Sequence, residues 1–462
     1  MTGVNLVVRN VDLRVRQVQL RLPFRFGANT LIACPQLFVR VDVELPGHGS
    51  AQGFAAEMMV PKWFDKRPQF TAEHNIAQLG LAARRAASAY MNDLPTSAFG
   101  LFARHYAALM AQSHADDMTE LTAAFGQAVI DKAVLDALCR ALDVSFFDAA
   151  HRNLIGLGDA AVAHDMHGWA WSDWLASLRP LRRIEARHTI GLLDELDAVR
   201  FGDGDDGGLP VSLRAVIERY GHKSFKIKLG GDPSSDLQRL RDVLAVLDAS
   251  VGEYRYTVDG NEQYASLDAL NELLAGLAPM KPPLYVEQPV PRELSLTTAL
   301  PANPIAPLLM DEADGTLDAF PRGRALGWTG VSSKACKGLY KSLINRARCD
   351  RWNLEAGDET RYFMSAEDLT CQAGLAVQQD VALVALLGIT HSERNGHHYG
   401  RGFGAAPAAE QHAFAEAHPD LYELHDGEAR LRIERGVLAI DSLFAPGYAH
   451  SAVPDWQATQ AL

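Results

Sequence analysis

The sequence predicts an α/β protein whose second half folds as a barrel of parallel strands and whose first half forms a smaller α+β domain. The chain has 462 residues, which is long for a single domain, although a barrel alone takes about 250 residues. Apolar residues alternate in the first 45 residues, and helical spacing dominates residues 71–142. After residue 184, short apolar runs alternate with amphipathic helices, which is the pattern of βα units in a parallel sheet.

Residues 1–150 are predicted to form the α+β domain, beginning with a sheet. Alternating apolar residues in Val11–Arg16, Val18–Leu22 and Leu37–Val43 predict three antiparallel strands, which are broken by stretches containing proline and glycine. We interpret the loop around Arg25 and the segment around Glu57 as connections that close over a site, with plain surface loops as the alternative.

Helices follow the sheet. The pattern is clearest in Ala128–Leu142, where apolar residues form one stripe and Asp131, Lys132 and Asp136 lie largely outside it. Residues 151–183 are rich in tryptophan, histidine and alanine without a clear period, and we interpret them as a linker or an insertion.

The barrel is predicted for residues 184–403, because eight strands alternating with helices match a barrel count. The predicted strands lie near residues 184–190, 224–229, 255–259, 284–287, 307–311, 329–334, 352–354 and 389–391. A start resembling a capping box, Ser365–Asp368, predicts the helix that ends at Gly388. The tail, residues 404–462, is expected to pack back on the N-terminal domain, since the barrel is already complete.

Composition excludes several classes of protein. The chain carries 44 lysine and arginine residues against 57 acidic ones, a net charge of −13, and it has no basic run, so we expect no nucleic-acid partner. The five cysteines are scattered without CxxC spacing, which indicates neither disulfides nor a thiolate zinc site and favours a cytoplasmic protein. No signal sequence is evident and the longest apolar run is too short for a bilayer, so we expect no membrane partner.

Three of the predicted strands end on carboxylates, namely Asp259, Glu287 and Asp311. Because parallel strands in a barrel bring their carboxyl ends together, we expect these three side chains to converge. Three carboxylates without cysteine form a hard oxygen site, which suits Mg²⁺ or Mn²⁺. Each acid taken singly is better explained as a solvated residue at a loop; the three in register are not.

Lysines flank this run of acids. Lys228 and Lys334 lie on opposite sides of it, so in a closed barrel they would face each other across a bound metal. A cation close to a lysine lowers its pKa and lets it act as a base, whereas a salt bridge to the acids is the alternative for each lysine. Lys226 shares a strand face with Lys228, and we interpret it as a partner for a substrate carboxylate or as a group that lowers the pKa of Lys228.

The order and spacing of these motifs resemble the enolase superfamily, in particular its mandelate racemase and muconate lactonizing enzyme family. The resemblance covers most of residues 184–400. The matching motifs are Lys226-Ile-Lys228, Val258-Asp259-Gly-Asn261, Val286-Glu287-Gln-Pro, Asp311-Glu312 and Ser333-Lys334-Ala-Cys-Lys337-Gly. The lysine pair is more similar to the muconate lactonizing enzyme subgroup than to the racemase subgroup, where a histidine usually faces the first base.

The resemblance implies a (β/α)7β TIM-like barrel under an α+β capping domain, with Mg²⁺ held by Asp259, Glu287 and Asp311. It also implies removal of the proton α to a carboxylate to give a metal-stabilised enediolate, a chemistry for which Lys or His bases are known in this superfamily. We expect Asn261, Glu312, His391 and Glu393 to support the metal ligands or to contact the substrate, as we do Arg25 and Glu57.

The chain departs from the family pattern in two places. It is longer than is usual, mainly between the first sheet and the barrel, which predicts an unusual pocket. Around His391 the last strand lacks the Asp-x-Asp pattern by which dipeptide epimerases hold an amino group, so dipeptide epimerisation is disfavoured. The histidines between His391 and His398 are interpreted as a second metal site, as contacts to a hydroxylated substrate or as loop residues held by ordinary hydrogen bonds.

Three functions follow as hypotheses. The first is a metal-dependent isomerase or lyase that acts on a small carboxylate by racemisation, epimerisation, cycloisomerisation or β-elimination. The second is a sugar-acid dehydratase of the same superfamily, and the third is a binding protein that keeps the metal without catalysis. We expect a small carboxylate as the substrate and a homo-oligomer as the assembly.

Overall fold

In the N-terminal domain three long antiparallel strands form a sheet that is covered by helices. The computed structural model describes residues 3–197, 208–302, 304–369, 371–449 and 451–462. The strands of this sheet are β1 (Val7–Phe26), β2 (Asn29–Leu45) and β3 (Gly49–Met58). The turn between β1 and β2 is tight, and Gly27 takes a φ of 50° in it, a value that favours glycine.

The predicted sheet is corrected in two respects. The two runs on either side of residue 17 belong to one strand, β1, and Pro23 lies at a register shift between Gln19 and Phe24 instead of ending the strand. Proline lacks the N–H group that a ladder requires, so a register irregularity accommodates it. The segment around Glu57 is strand β3 and not a loop.

The helices of this domain are α1 (Ala72–Tyr90), α2 (Ala98–Ala115) and α3 (Glu120–Ala141). Each begins after a Ser or Thr whose side-chain oxygen accepts a backbone N–H, as helix N-caps do. Helix α3 is buried on nearly every side, so the prediction that Asp131, Lys132 and Asp136 lie outside a buried stripe is wrong. Asp131 accepts a hydrogen bond from Tyr90 at 2.8 Å, and Asp136 accepts one from the backbone N–H of Phe54 at 2.9 Å.

Two short helices, α4 (Phe146–His151) and α5 (Trp171–Ser177), lead to the barrel. Trp174 on α5 donates from its indole nitrogen to Asp350, 2.9 Å away. This region therefore contacts a helix of the barrel, although its sequence has no clear period.

Eight parallel strands close into the predicted barrel, since the last strand pairs with the first. They are β4 (Arg183–Ile190), β5 (Ser224–Lys228), β6 (Arg255–Asp259), β7 (Val286–Glu287), β8 (Leu308–Met310), β9 (Gly330–Ser333), β10 (Phe363–Ala366) and β11 (His391–Arg394). The helices that follow β4 to β11 in chain order are α6 (Leu213–Tyr220), α7 (Pro233–Ser250), α8 (Leu267–Leu277), α9 (Arg292–Ser295), α10 (Ala319–Ala325), α11 (Leu339–Ala356), α12 (Leu375–Leu386) and α13 (Gly396–Tyr399). The predicted α/β fold class is confirmed.

One predicted strand is wrong. Residues 352–354 lie in α11, which continues to Ala356 and is capped by Gly357, a residue with a left-handed φ of 65°. The seventh strand is β10, and Ser365 belongs to it, so the predicted helix start at that serine is also wrong. The helix begins ten residues later, at Leu375.

The tail contains α14 (Ala408–Ala417), β12 (Tyr422–His425), β13 (Glu428–Leu431), β14 (Val437–Ala439) and β15 (Gln460–Ala461). Strand β14 extends the barrel sheet by antiparallel pairing with β4, whereas β15 pairs with β1 in the N-terminal sheet. Arg16 of β1 forms an ion pair with Glu410 of α14 at 2.7 Å. The tail therefore contacts both halves of the molecule.

A partly buried ion network joins the N-terminal domain, hereafter the cap, to the barrel. Lys66, in the loop after β3, contacts Glu262 at 2.8 Å and Glu312 at 2.7 Å. Arg292 forms an ion pair with Glu262 at 2.8 Å and donates to the backbone carbonyl of Phe64 at 3.0 Å. This network fixes the loop that carries Trp63 and Phe64 over the barrel mouth.

Candidate active site

The three predicted carboxylates lie at the same end of the barrel. Asp259 and Glu287 are the last residues of β6 and β7, and Asp311 directly follows β8. All three are fully buried. Adjacent parallel strands bring them to one rim, as the strand-end pattern predicted.

Lys226 occupies the centre of this rim and is fully buried. Its ammonium group lies 2.9 Å from Asp259, 2.7 Å from Glu287, 2.8 Å from Glu367 and 3.0 Å from Glu393. Burial alone would lower the pKa of Lys226, but Asp259 and the other carboxylates raise it well above its usual range. The lysine is therefore held as a cation by four acids, two of which come from the last two strands.

Glu367 was not among the predicted site residues. It follows β10 directly, where an apolar run ends on an acid as in the other strands, but the same residues imitate a helix start. Glu367 also forms an ion pair with Arg187. Burial raises the pKa of Glu367, but the neighbouring cations Arg187 and Lys226 lower it by more. Glu393, which was predicted to support the site, accepts hydrogen bonds from Lys226 and, at 2.6 Å, from Thr189.

Lys228 and Lys334 extend from opposite walls of the barrel. Lys228 ends β5 and Lys334 follows β9, and three strands separate β5 from β9 in either direction around the closed sheet. Lys228 contacts Asp259 at 2.6 Å, and Lys334 contacts Asp311 at 2.5 Å. Burial lowers the pKa of Lys334, but Asp311 and the more distant Glu287 and Glu393 together raise it by more, so the expected lowering of this pKa is not found in the side-chain arrangement alone.

The cap places one aromatic ring over each of these lysines. The Lys228 ammonium lies 5.8 Å from the centre of the Phe24 ring, and the Lys334 ammonium lies 4.2 Å from the Trp63 ring. Sequence reasoning missed both aromatic residues and pointed to Arg25, whose side chain is exposed. Since neighbours on a strand face opposite ways, burying Phe24 turns Arg25 to the solvent.

The other predicted residues have structural contacts. Glu57 forms a buried ion pair with Lys132 at 2.9 Å. Asn261 donates to Glu312 at 3.1 Å, next to the Lys66 contact that anchors the cap. These residues connect the cap to the barrel or stabilise the cap itself.

His391 lies at the start of β11, deeper in the barrel than Glu393. Its Nδ1 atom is 2.6 Å from Arg187, and burial together with this guanidinium lowers the pKa of His391 well below its usual range. This contact joins His391 to Arg187 and not to Lys228 or Lys334.

The donor chemistry of the three strand-end carboxylates fits a hard divalent cation. Within the described residues Glu287 Oε2 accepts no well-formed hydrogen bond, although the Lys226 ammonium is near. Burial raises the pKa of Glu287 well above its usual range, and the neighbouring acids Asp259 and Glu367 add to this effect. In the described part of the chain the ligand atoms of Asp259, Glu287 and Asp311 do not all lie within 4.8 Å of one another. Lys226 contacts Glu287, and Lys334 contacts Asp311.

The chain thus combines a closed parallel barrel with acids and lysines at the carboxyl-terminal rim of that barrel. Residues 209–354 match the family described as enolase C-terminal domain-like. This match confirms the enolase-superfamily resemblance that the motifs predicted. No curated protein sequence matches the chain.

Solved structures share the fold along the whole chain. Muconate lactonizing enzyme from Pseudomonas fluorescens, complexed with muconolactone, has a TM-score of 0.61 at 14% identity and covers 98% of each chain. An enolase from Bradyrhizobium, complexed with magnesium and mandelic acid, has a TM-score of 0.59 at 16% identity, with 99% of this chain and 98% of that chain covered. Dipeptide epimerase from Enterococcus faecalis V583, complexed with Mg and L-Leu-L-Tyr, has a TM-score of 0.58 at 15% identity, with 96% and 99% covered.

All five cysteines are buried and unpaired.

Over the described ranges of the chain, none of the helices combines the length and the apolar character that crossing a membrane requires.

Proposed function

We propose that the chain is a divalent-metal-dependent isomerase or lyase that removes the proton α to the carboxylate of a small acid. The observation that carries this proposal is the placement of Lys228 at the end of β5 and of Lys334 directly after β9, because these strands lie on opposite walls of the barrel. A substrate held between two such amines presents one face of its α-carbon to each of them. That arrangement suits chemistry in which a proton leaves from one face and returns on either.

The two lysines are proposed as the acid and base groups. In the free enzyme Lys228 is paired with Asp259 and Lys334 with Asp311. Asp259, Glu287 and Asp311 would hold Mg²⁺ or Mn²⁺, which would stabilise the negative charge that develops on the substrate carboxylate. A lysine whose acid partner is drawn to another cation loses the interaction that keeps it protonated, and it can then accept the α-proton at Nζ.

Lys226 is proposed as a positioning residue. Its ammonium donates hydrogen bonds to Glu287, Glu367 and Glu393, which uses all three of its protons. A direct bond to a substrate carboxylate would break one of these contacts. We therefore assign Lys226 the role of neutralising the crowded acids, and we prefer this to the role of binding the substrate.

Phe24 and Trp63 favour a substrate with apolar or unsaturated groups beside its carboxylate. Both rings are buried and stand over the two lysines, so they form the cap side of the site. The indole N–H of Trp63 has no hydrogen-bond partner among the described residues and could donate to a polar group of the substrate. Racemisation and cycloisomerisation fit such walls better than the dehydration of a polyhydroxylated acid.

The sugar-acid dehydratase alternative depends on histidines that reach the substrate. His391 contacts Arg187, and His397 lies against His188, on the outer face of β4. These contacts place neither histidine beside Lys228 or Lys334, so no observation favours this second function.

Isotope exchange tests the proposal without knowledge of the net reaction. The protein is incubated in D₂O with Mg²⁺ or Mn²⁺ and a panel of small carboxylic acids, and deuterium at the α-carbon is followed by NMR. We expect metal-dependent exchange for at least one acid, and we expect Lys223→Ala, an exposed lysine near β5, to exchange like the wild type. Metal binding without any exchange across the panel would favour the non-catalytic binding protein.

A further inference from the structure

Three histidines meet outside the barrel wall. His188 lies on β4, His222 precedes β5 and His397 lies on α13. The ring centres are 5.2 Å apart for His188 and His222, 5.3 Å for His222 and His397, and 5.4 Å for His188 and His397. One ligand nitrogen from each ring lies within 4.8 Å of the other two. Among the described residues this is the group of at least three donor side chains whose geometry could hold a metal ion.

The cluster is separate from the acidic site. Arg187 and Thr189 point into the barrel, where they contact Glu367 and Glu393. Alternation along β4 therefore turns His188 to the outer face. The strand itself lies between the histidines and the candidate active site.

The ring nitrogens of the cluster lack partners. His188 Nδ1, His222 Nε2 and both ring nitrogens of His397 are buried without a hydrogen bond to any described residue. A buried polar atom without a partner destabilises the folded state. A ligand bound by these converging nitrogens would remove that cost.

His222 is oriented as metal-binding histidines are. Its Nδ1 lies 3.0 Å from the carbonyl oxygen of Ala186, which assigns the proton to Nδ1 and leaves the Nε2 lone pair free. A metal-ligating histidine typically donates its second ring N–H to a carbonyl or carboxylate in this way. Burial lowers the pKa of His222 to about 4 and keeps its imidazole neutral, the form that binds metals.

We propose that His188, His222 and His397 bind one borderline divalent transition-metal ion, with Zn²⁺ as the best fit. Neutral imidazoles suit zinc, copper, cobalt and nickel, and they discriminate against Mg²⁺, which prefers oxygen. A Zn–N distance of about 2.0–2.1 Å requires a small inward rotation of the rings.

The fourth ligand is assigned to a water molecule. An adjoining cavity of about 20 Å³, lined by Tyr220, Cys371 and His397, is large enough to hold one. The ion would tie α13, which follows the last barrel strand, to the wall formed by β4 and the start of β5. Its role is therefore to stabilise the closure of the barrel.

The test measures the stoichiometry of bound zinc. The full-length protein is saturated with Mg²⁺ so that the acidic site does not contribute, equilibrated with Zn²⁺, dialysed and analysed by mass spectrometry of the elements. We expect one more zinc per chain in the wild type than in His222→Ala or His397→Ala. The control variant His412→Ala removes an exposed histidine of α14 and should keep the wild-type stoichiometry.

A spectroscopic measurement on the wild type tests the proposal even if the variants fold poorly. Co²⁺ replacing zinc should give the intense visible absorption of a four-coordinate ion, and Zn²⁺ should raise the Tm of the wild type but not of the two cluster variants. Equal zinc content in the wild type and in folded cluster variants, or only the weak spectrum of six-coordinate Co²⁺, would overturn the proposal. Because neither readout uses activity, the result is independent of the proposed isomerase or lyase function.

Discussion

The ammonium group of Lys334 lies 4.2 Å from the centre of the Trp63 ring, so a side chain of the cap covers a lysine of the barrel. Phe24 stands over Lys228 in the same way at 5.8 Å. The cap therefore contributes two aromatic walls to the site, while the barrel contributes its charged groups. We interpret the rings as the part of the molecule that selects the substrate.

Replacing Trp63 should weaken the reaction without removing the metal site. A desolvated contact between a lysine and a tryptophan ring contributes about 2 kcal/mol, so Trp63→Ala should lower kcat/KM by about thirty-fold. Trp63→Phe keeps one aromatic ring but loses the second ring and the indole N–H, so kcat/KM should fall by less than in Trp63→Ala. Steady-state kinetics at saturating Mg²⁺ provides the comparison, and an unchanged kcat/KM in Trp63→Ala would show that the ring does not act on substrate or lysine.

Removing one strand-end carboxylate should abolish activity with little change in fold. Asp259→Asn, Glu287→Gln and Asp311→Asn each remove one negatively charged ligand of the proposed cation. Chelation of the wild type should have the same effect and should be reversed by added Mg²⁺. The check combines two measurements, the turnover of each variant and its circular dichroism spectrum, which reports the fold. Full turnover of the wild type in chelator would assign the acids a purely structural role.

Acid should weaken the junction between cap and barrel through Glu262. Burial raises the pKa of this carboxyl, but Lys66 and Arg292 lower it by more, from 4.5 to about 2. A carboxyl whose pKa is lower in the folded state contributes stability above its unfolded pKa, and that contribution is lost as the pH falls from 4.5 through about 2. Thermal unfolding between about pH 5 and about pH 3 should therefore show a steeper loss of Tm in the wild type than in Glu262→Gln. Parallel curves for the two proteins would contradict this role.

Glu57 should act on stability and not on substrate choice. Its carboxylate is paired with Lys132, which is fully buried, so Glu57→Gln leaves a buried ammonium group without its counter-charge. Breaking such a pair costs about 3–5 kcal/mol, whereas Glu44→Gln, which removes an exposed pair with Arg9, should cost less than about 1 kcal/mol. Denaturant unfolding compares the two variants. A Glu57→Gln protein as stable as the wild type but with altered KM would restore the lid interpretation.

The sequence predicted the barrel and its charged rim because both depend on local patterns. A five-residue strand with alternating residues places Lys226 and Lys228 on one face, and an apolar run that ends on an acid predicts Asp259 at a strand terminus. The same logic failed for Glu367, since the four residues of β10 are too few to show a period and resemble a helix start.

The remaining features depend on contacts between distant segments. Trp63, which contacts Lys334, lies on a cap loop that Lys66 and Arg292 connect to the barrel. The group formed by His188, His222 and His397 likewise combines three segments that no local spacing relates. Such arrangements follow from the packing of complete elements, which periodicity within one element does not encode.

The central claim is that Lys228 and Lys334 transfer protons on opposite faces of the substrate, and exchange by single-lysine variants tests it most directly. In D₂O with Mg²⁺ and a substrate identified by wild-type exchange, Lys228→Ala and Lys334→Ala are each followed for deuterium at the α-carbon. For a racemase or epimerase we expect both variants to lose net inversion, while each still exchanges the proton of one stereoisomer and the two show opposite preferences. For a cycloisomerase or an elimination we expect one variant to lose exchange entirely and the other only to turn over more slowly. Wild-type turnover of a true substrate by both variants would contradict the account.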